Sequence, residues 1–151
     1  MFNSELKIVS RVAKLHTASA PIYRMISDFS FMGTITPPDD KVKILSCDSD
    51  SCRISVQGGG EFGMKILERK ENELVKIGND EGAPFTFSLW IQLKEAEAYD
   101  TRLRITLHAN MNSIMKMVAQ KPLTSFVESL VDKLEQRFNA SNTTYDTNYE
   151  A

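Results

Sequence analysis

Residues 101–138 read TRLRITLHANMNSIMKMVAQKPLTSFVESLVDKLEQRF, and within them the spacing of the apolar residues changes once. Leu103, Ile105, Leu107 and Ala109 alternate with Arg102, Arg104, Thr106 and His108, the period of a strand with one dry face. From Asn112 onward Ile114, Met115, Val118, Leu123, Phe126, Val127, Leu130, Val131, Leu134 and Phe138 recur at helical spacing as one broad stripe. Lys116, Lys121, Glu128, Asp132, Lys133, Glu135 and Arg137 mostly fill the opposite side. A long amphipathic helix therefore follows the last strand of a sheet. Pro122 has no N–H for the preceding turn, so a break or kink is expected there, with a short first helix and a longer second one.

Upstream, six strand-like segments lie between Val42 and Ala109: KVKILSCD, SCRISVQG, EFGMKILERK, ELVKIGND, PFTFSLWIQLKE and TRLRITLHAN. The turns between them are short and rich in Gly, Asp, Asn and Ser, which predicts an antiparallel meander. Phe85, Phe87, Leu89, Ile91 and Leu93 continue the dry face, as do Phe62, Met64 and Ile66, while Leu67 breaks the pattern. Trp90 falls on the polar phase, where an aromatic can mark a contact between two copies of the chain.

Register is readable in the first hairpin. A two-residue turn at Ser49 and Asp50 sets Cys47 opposite Cys52 but mixes the faces by opposing Ile54 to Leu45. A three-residue loop keeps Val56 opposite Ile44 and sends the two cysteines to opposite faces, so the reading favours free buried thiols and no disulfide.

Residues 5–13, ELKIVSRVA, read as a first strand. A helix follows in which Ser19 can cap, Pro21 suits the first turn, and Ile22, Met25, Ile26 and Phe29 return at helical spacing, ending near Asp28. FSFMGTITPPDD (29–40) suits a helical turn and then a loop that closes over the next strand as a lid. Residues 139–151 are polar and aperiodic and read as a mobile tail. The two N-x-[ST] matches at Asn139 and Asn142 carry meaning only in a secreted chain.

The 151 residues suit one domain with a self-sufficient core. A formal charge of -2 with no basic block argues against nucleic acid as a partner. The N-terminus lacks the pattern of a secretion signal, and no apolar run is long enough to span a bilayer, so a cytoplasmic location is expected.

Taken together, the element order and the wording of SAPIYRMISDF (19–29), CRISVQGGGEFGMKI (52–66), PFTFSLWIQLKE (84–95) and NMNSIMKMVAQKPLTSFVESLVDKLEQRF (110–138) resemble the START-like superfamily. This is the SRPBCC or polyketide-cyclase-like group, which includes the birch-pollen-allergen type, and the resemblance is to its small bacterial single-domain form. It covers residues 4–138, with a domain expected over 1–138. It implies an α+β helix-grip fold: a curved antiparallel seven-stranded sheet wrapped around the long C-terminal helix, with one or two short helices after the first strand. It also implies a cavity for lipids, sterols, polyketides or other apolar molecules. Members range from carriers to cyclases and chaperone activators, and no universal catalytic signature exists to carry over.

The residues themselves offer little chemistry. His16 and His108 lie on segments that read as structural, and neither has metal-ligand spacing. The GGGEFG run lies between strands and suits a bend, and alternation turns Glu61 away from Phe62 toward water. Asp28 suits the end of the first helix. The seven methionines suit gap-filling in the core first and, as the alternative, a deformable apolar wall. The expected ligand-binding residues are Met25, Phe31, Met32, Phe62, Met64, Phe87, Leu89, Leu107, Met111, Met115 and Phe126. No catalytic residue, metal or cofactor is assigned. The leading expectation is binding or transport of an apolar small molecule or lipid. A cyclase or aromatase-like enzyme and a protein-interaction domain using the outer sheet near Trp90, with a possible homodimer, are the alternatives.

Overall fold

Two long strands, β7 (Thr86–Glu97) and β8 (Asp100–Asn112), form the spine of the sheet. They pair antiparallel with Phe87 opposite Ala109, Leu89 opposite Leu107, Ile91 opposite Ile105 and Leu93 opposite Leu103. Of these residues all but the half-buried Phe87 are buried. The period of two read from the sequence is thus the partition between core and solvent. The computed structural model describes residues 3–31, 42–57, 60–80, 82–83 and 85–150, with the side chains of Asn3, Val56 and 140–150 outside the description.

On one side of this pair the sheet continues through β6 (Leu74–Asn79), β5 (Gly60–Lys70), β4 (Ser51–Val56) and β3 (Val42–Cys47), each antiparallel to its neighbour. On the other side β1 (Asn3–Val9) and β2 (Ala13–Leu15) both pair with β8. The single strand expected over 5–13 is therefore interrupted. Ser10 N–H donates to the Ile105 carbonyl at 2.8 Å and its hydroxyl accepts from Ile105 N–H at 2.8 Å, so a side chain replaces one ladder bond where the backbone turns. With β1 and β2 counted as one interrupted edge, the sheet has seven members.

Two bulges explain the residues that broke alternation. The β5–β6 register shifts between Ile66 and Glu68, and the extra residue is Leu67, which is half exposed. It lies over Gly78, where a Cβ would collide with its side chain. The β3–β4 register shifts between Ile44 and Ser46, leaving Leu45 as the unpaired residue. This second bulge corrects the hairpin. Cys47 does stand opposite Cys52 across a two-residue turn, and Ile44 still faces Ile54 because Leu45 absorbs the mismatch. The two sulfurs form a disulfide with Sγ–Sγ 2.04 Å, against the expectation of free thiols.

Helix α1 (Ser19–Ile26) buries Ile22 and Ile26 against the sheet. Its N-cap is Ala18, not Ser19, and no side chain of the cap closes it. Instead Glu95 on β7 accepts from Ser19 N–H at 2.7 Å, placing a carboxylate at the positive end of the helix. A further helical turn begins at Phe29–Phe31, where Asp28 accepts from Ser30 N–H at 2.8 Å. The lid expected over 29–40 lies, past Phe31, outside the described residues.

Helix α2 (Ser113–Glu150) starts where Asn112 accepts from Met115 N–H at 2.8 Å, a side-chain cap three residues back. It runs unbroken through Pro122, so the expected division into two helices is not present. Pro122 removes one bond to the Val118 carbonyl, but Val118 is 65% exposed and water can satisfy it. Thr124 hydroxyl adds a bond to Gln120 O at 2.7 Å in the same turn. Farther along, Val127, Leu130, Val131 and Leu134 are buried, and the helix packs on β8, β1 and β2. Arg11, in the interruption between β1 and β2, holds Asp132 at 2.7 Å and Glu135 at 3.0 and 3.1 Å. Asn139 donates to Lys14 O and accepts from His16 N–H, both at 3.0 Å. The polar stretch read as a tail coincides with the last turns of α2, and its side chains beyond Asn139 lie outside the description.

Candidate functional site: an apolar cavity under the helix

α2 packs on β8, β1 and β2, and a cavity of about 80 Å³ lies between the helix and the inner face of the sheet. Strand positions of one parity line it: Val42 and Ile44 on β3, Cys52 and Ile54 on β4, Phe62 and Met64 on β5, Ile77 on β6, Phe87 and Leu89 on β7 and Leu107 on β8. Phe85 just before β7, Phe29 after α1, and Leu123, Phe126 and Leu130 on α2 complete the wall. Phe62, Phe85 and Phe87 pack as a cluster with ring centroids 5.5 to 6.0 Å apart.

Among the described residues the wall contains no ionisable side chain and no side-chain hydroxyl or amide, and its most polar side-chain atom is the Cys52 sulfur. It can therefore desolvate an apolar guest but offers neither a proton donor nor an anchor for charge. Among the described residues no group of His, Cys, Asp and Glu could hold a metal ion. Ile44, Met64, Phe85, Phe87, Leu123 and Phe126 line the cavity yet are only half buried, so that side of the wall reaches solvent.

Of the residues expected to bind ligand, Phe62, Met64, Phe87, Leu89, Leu107 and Phe126 meet around the cavity. Met111 does not reach it and is buried in the core, 3% exposed. Met25 and Met115 are half buried against the same core, and Phe31 is 52% exposed at the surface. Met32 lies outside the described residues. Phe85, Leu123 and Leu130, which also line the cavity, lie on the dry stripes already visible in the sequence. Ile44 was hidden by the bulge beside it.

Phe29 is held at the cavity by polar contacts on the outside. Its N–H donates to Ser49 O at 3.2 Å, and Arg69 on β5 donates to the same carbonyl at 3.3 Å, to Ser27 O at 2.9 and 3.1 Å, and to Asp50 at 2.8 Å. One guanidinium thereby joins the end of α1, the β3–β4 turn and β5.

The remaining candidates lie outside the cavity. Glu61 is exposed opposite Ser55, on the outer face as alternation required. His108 packs edge-on against Trp90 at 5.3 Å on the outer sheet, and Lys76 Nζ lies 5.3 Å from the same ring. His16 is exposed just after β2. The carboxyls held below their ordinary range are also at the surface: Asp48 by the N–H groups of Asp50 and Ser51 and the Ser51 hydroxyl, Asp100 by Arg102.

Solved structures decide the comparison. Norcoclaurine synthase of Thalictrum flavum, in complex with a transition-state analogue, superposes with a TM-score of 0.67 over 94% of this chain and 99% of its own, at 10% identity. A START superfamily protein from Mycobacterium smegmatis gives 0.61 over 90% and 97%, at 18% identity. The chain has a helix-grip fold. Both solved structures resemble this chain in architecture and hardly at all in sequence. No family model and no curated protein sequence matches it. No described helix is long and apolar enough to cross a membrane.

Proposed function

We propose that the protein binds an apolar small molecule or lipid in the cavity between sheet and C-terminal helix and acts by sequestering or transferring it. The observation that carries this reading is the wall itself: among the described residues fifteen line it and none is ionisable, with one side reaching solvent. Desolvation is then the driving force, at roughly 25 cal/mol for each Å² of apolar guest surface removed from water. A cavity of about 80 Å³ is small for this task. Engineered apolar cavities of about 150 Å³ admit benzene, and drug-sized ligands occupy about 300–1,000 Å³. A larger guest therefore enters by displacing the half-buried side chains Met64, Phe85, Phe87, Leu123 and Phe126, and thioether and ring rotations supply that space at modest cost.

The experiment is uptake of anilinonaphthalene sulfonate by the purified protein, together with organic extraction and mass spectrometry of whatever copurifies. Leu107→Trp, which fills the cavity from β8, should cut uptake at least tenfold while circular dichroism stays unchanged. Uptake that is absent in the unaltered protein, with nothing extracted, defeats the binding reading. The small volume would then favour a second reading, in which side chains fill the core and the outer sheet around Trp90, Lys76 and His108 binds a protein partner.

A further inference from the structure

The first turns of α2 expose what the rest of the helix hides. Ile114 is 76% exposed, Met117 81% and Val118 65%, and their spacing of three and four residues puts them on one face. Lys121 follows on that face and Lys116 flanks it, half buried. No carboxylate occurs on α2 before Glu128. An apolar stripe whose only charged companions in these turns of the helix are two lysines thus stands on a chain whose overall charge is -2.

From this we infer that the N-terminal turns of α2 dock the protein on an anionic lipid surface. Three exposed side chains project from one face of the helix, a shape suited to entering a soft acyl layer. Charge argues against a second copy. A two-fold contact through this face would bring Lys116 and Lys121 of both copies together, with no carboxylate from this part of the helix to offset them. Anionic headgroups supply the missing charge. Position also fits, because Leu123 in the cavity wall is five residues past Val118, about 7.5 Å along the axis. The half-buried side of the cavity then lies close to the membrane, and this point alone rests on the pocket reading.

Three side chains and two lysines make a weak, salt-sensitive contact. The test is cosedimentation with vesicles of phosphatidylcholine mixed with phosphatidylglycerol, against phosphatidylcholine alone. The unaltered protein should sediment with the anionic vesicles only and be released by salt. Met117→Glu should lower binding by about tenfold or more, and the pair Lys116→Gln with Lys121→Gln by roughly 25-fold, taking about fivefold for each lysine near such a surface. Exposure of Met117 keeps its variant folded, which circular dichroism checks. Failure of the unaltered protein to bind anionic vesicles, or equal binding by Met117→Glu, overturns the inference. So does self-association that Met117→Glu abolishes without any vesicle binding. Dye uptake measured without vesicles reports on the cavity separately, so the two readings fail independently.

Discussion

Arg69 is the residue whose loss should be felt farthest from itself. Its guanidinium is the common donor to Ser27, Ser49 and Asp50, and the same Ser49 carbonyl accepts from Phe29 at the cavity. Truncation to alanine leaves carbonyls that water can reach, so the stability cost should be modest, about 1–2 kcal/mol in urea unfolding. Dye affinity should fall as well, because Phe29 loses its outer support. Asp48 makes a different, pH-dependent case. Its carboxyl is held below the ordinary range by three donors, so the folded chain binds the proton less readily than the unfolded one. The stabilisation is complete above the ordinary carboxylate range and disappears as pH falls through the lowered folded value. Asp48→Ala should therefore flatten the acid side of a stability profile and leave the alkaline side's shape unchanged, as read from urea midpoints across pH.

At the scale of elements, what was legible and what was not divide by range. The alternation of Leu103 to Ala109 and of Phe85 to Leu93 gave the sheet, and the stripe from Leu123 to Phe138 gave the helix, because burial imposes those periods locally. The bulge at Leu45 was not legible and that at Leu67 showed only as a break in alternation, since an unpaired residue is set by the partner strand and not by its own segment. The same holds for the α1 cap: Glu95 is 76 positions from Ser19, and no local pattern links them. Phe62, Met64, Phe87, Leu89 and Leu107 reach the cavity wall on the dry phase of their strands and Phe126 on the helical stripe, whereas Met111 lies in the core and Met115 against it. Pro122 offers the element-scale test. The helix tolerates it where Val118 is exposed, so Pro122→Ala restores a backbone bond without disturbing a buried contact. The helical gain of about 3 kcal/mol is offset partly by a freer unfolded chain. We expect a net stabilisation of about 1–2 kcal/mol in urea unfolding.

For the molecule as a whole, the helix-grip arrangement creates its cavity by uneven packing, and this can be tested by changing how much the helix fills. Val127, Leu130, Val131 and Leu134 anchor α2 to the core, while Phe126 and Leu123 face the cavity and are half buried. Phe126→Ala removes a ring from the wall and leaves the anchor intact. Full truncation of a buried Phe costs about 3–5 kcal/mol, and half burial reduces the expected loss to about 2 kcal/mol. If the cavity is a binding site, the enlarged version should accept bulkier apolar guests, and thermal shift should recover on adding them. Leu134→Ala makes the contrast: it cuts the anchor at a fully buried position, costs about 3 kcal/mol, and should bring no new guest. Rescue of Phe126→Ala by a larger ligand, with none for Leu134→Ala, would separate a cavity that holds a molecule from one that is merely loose packing.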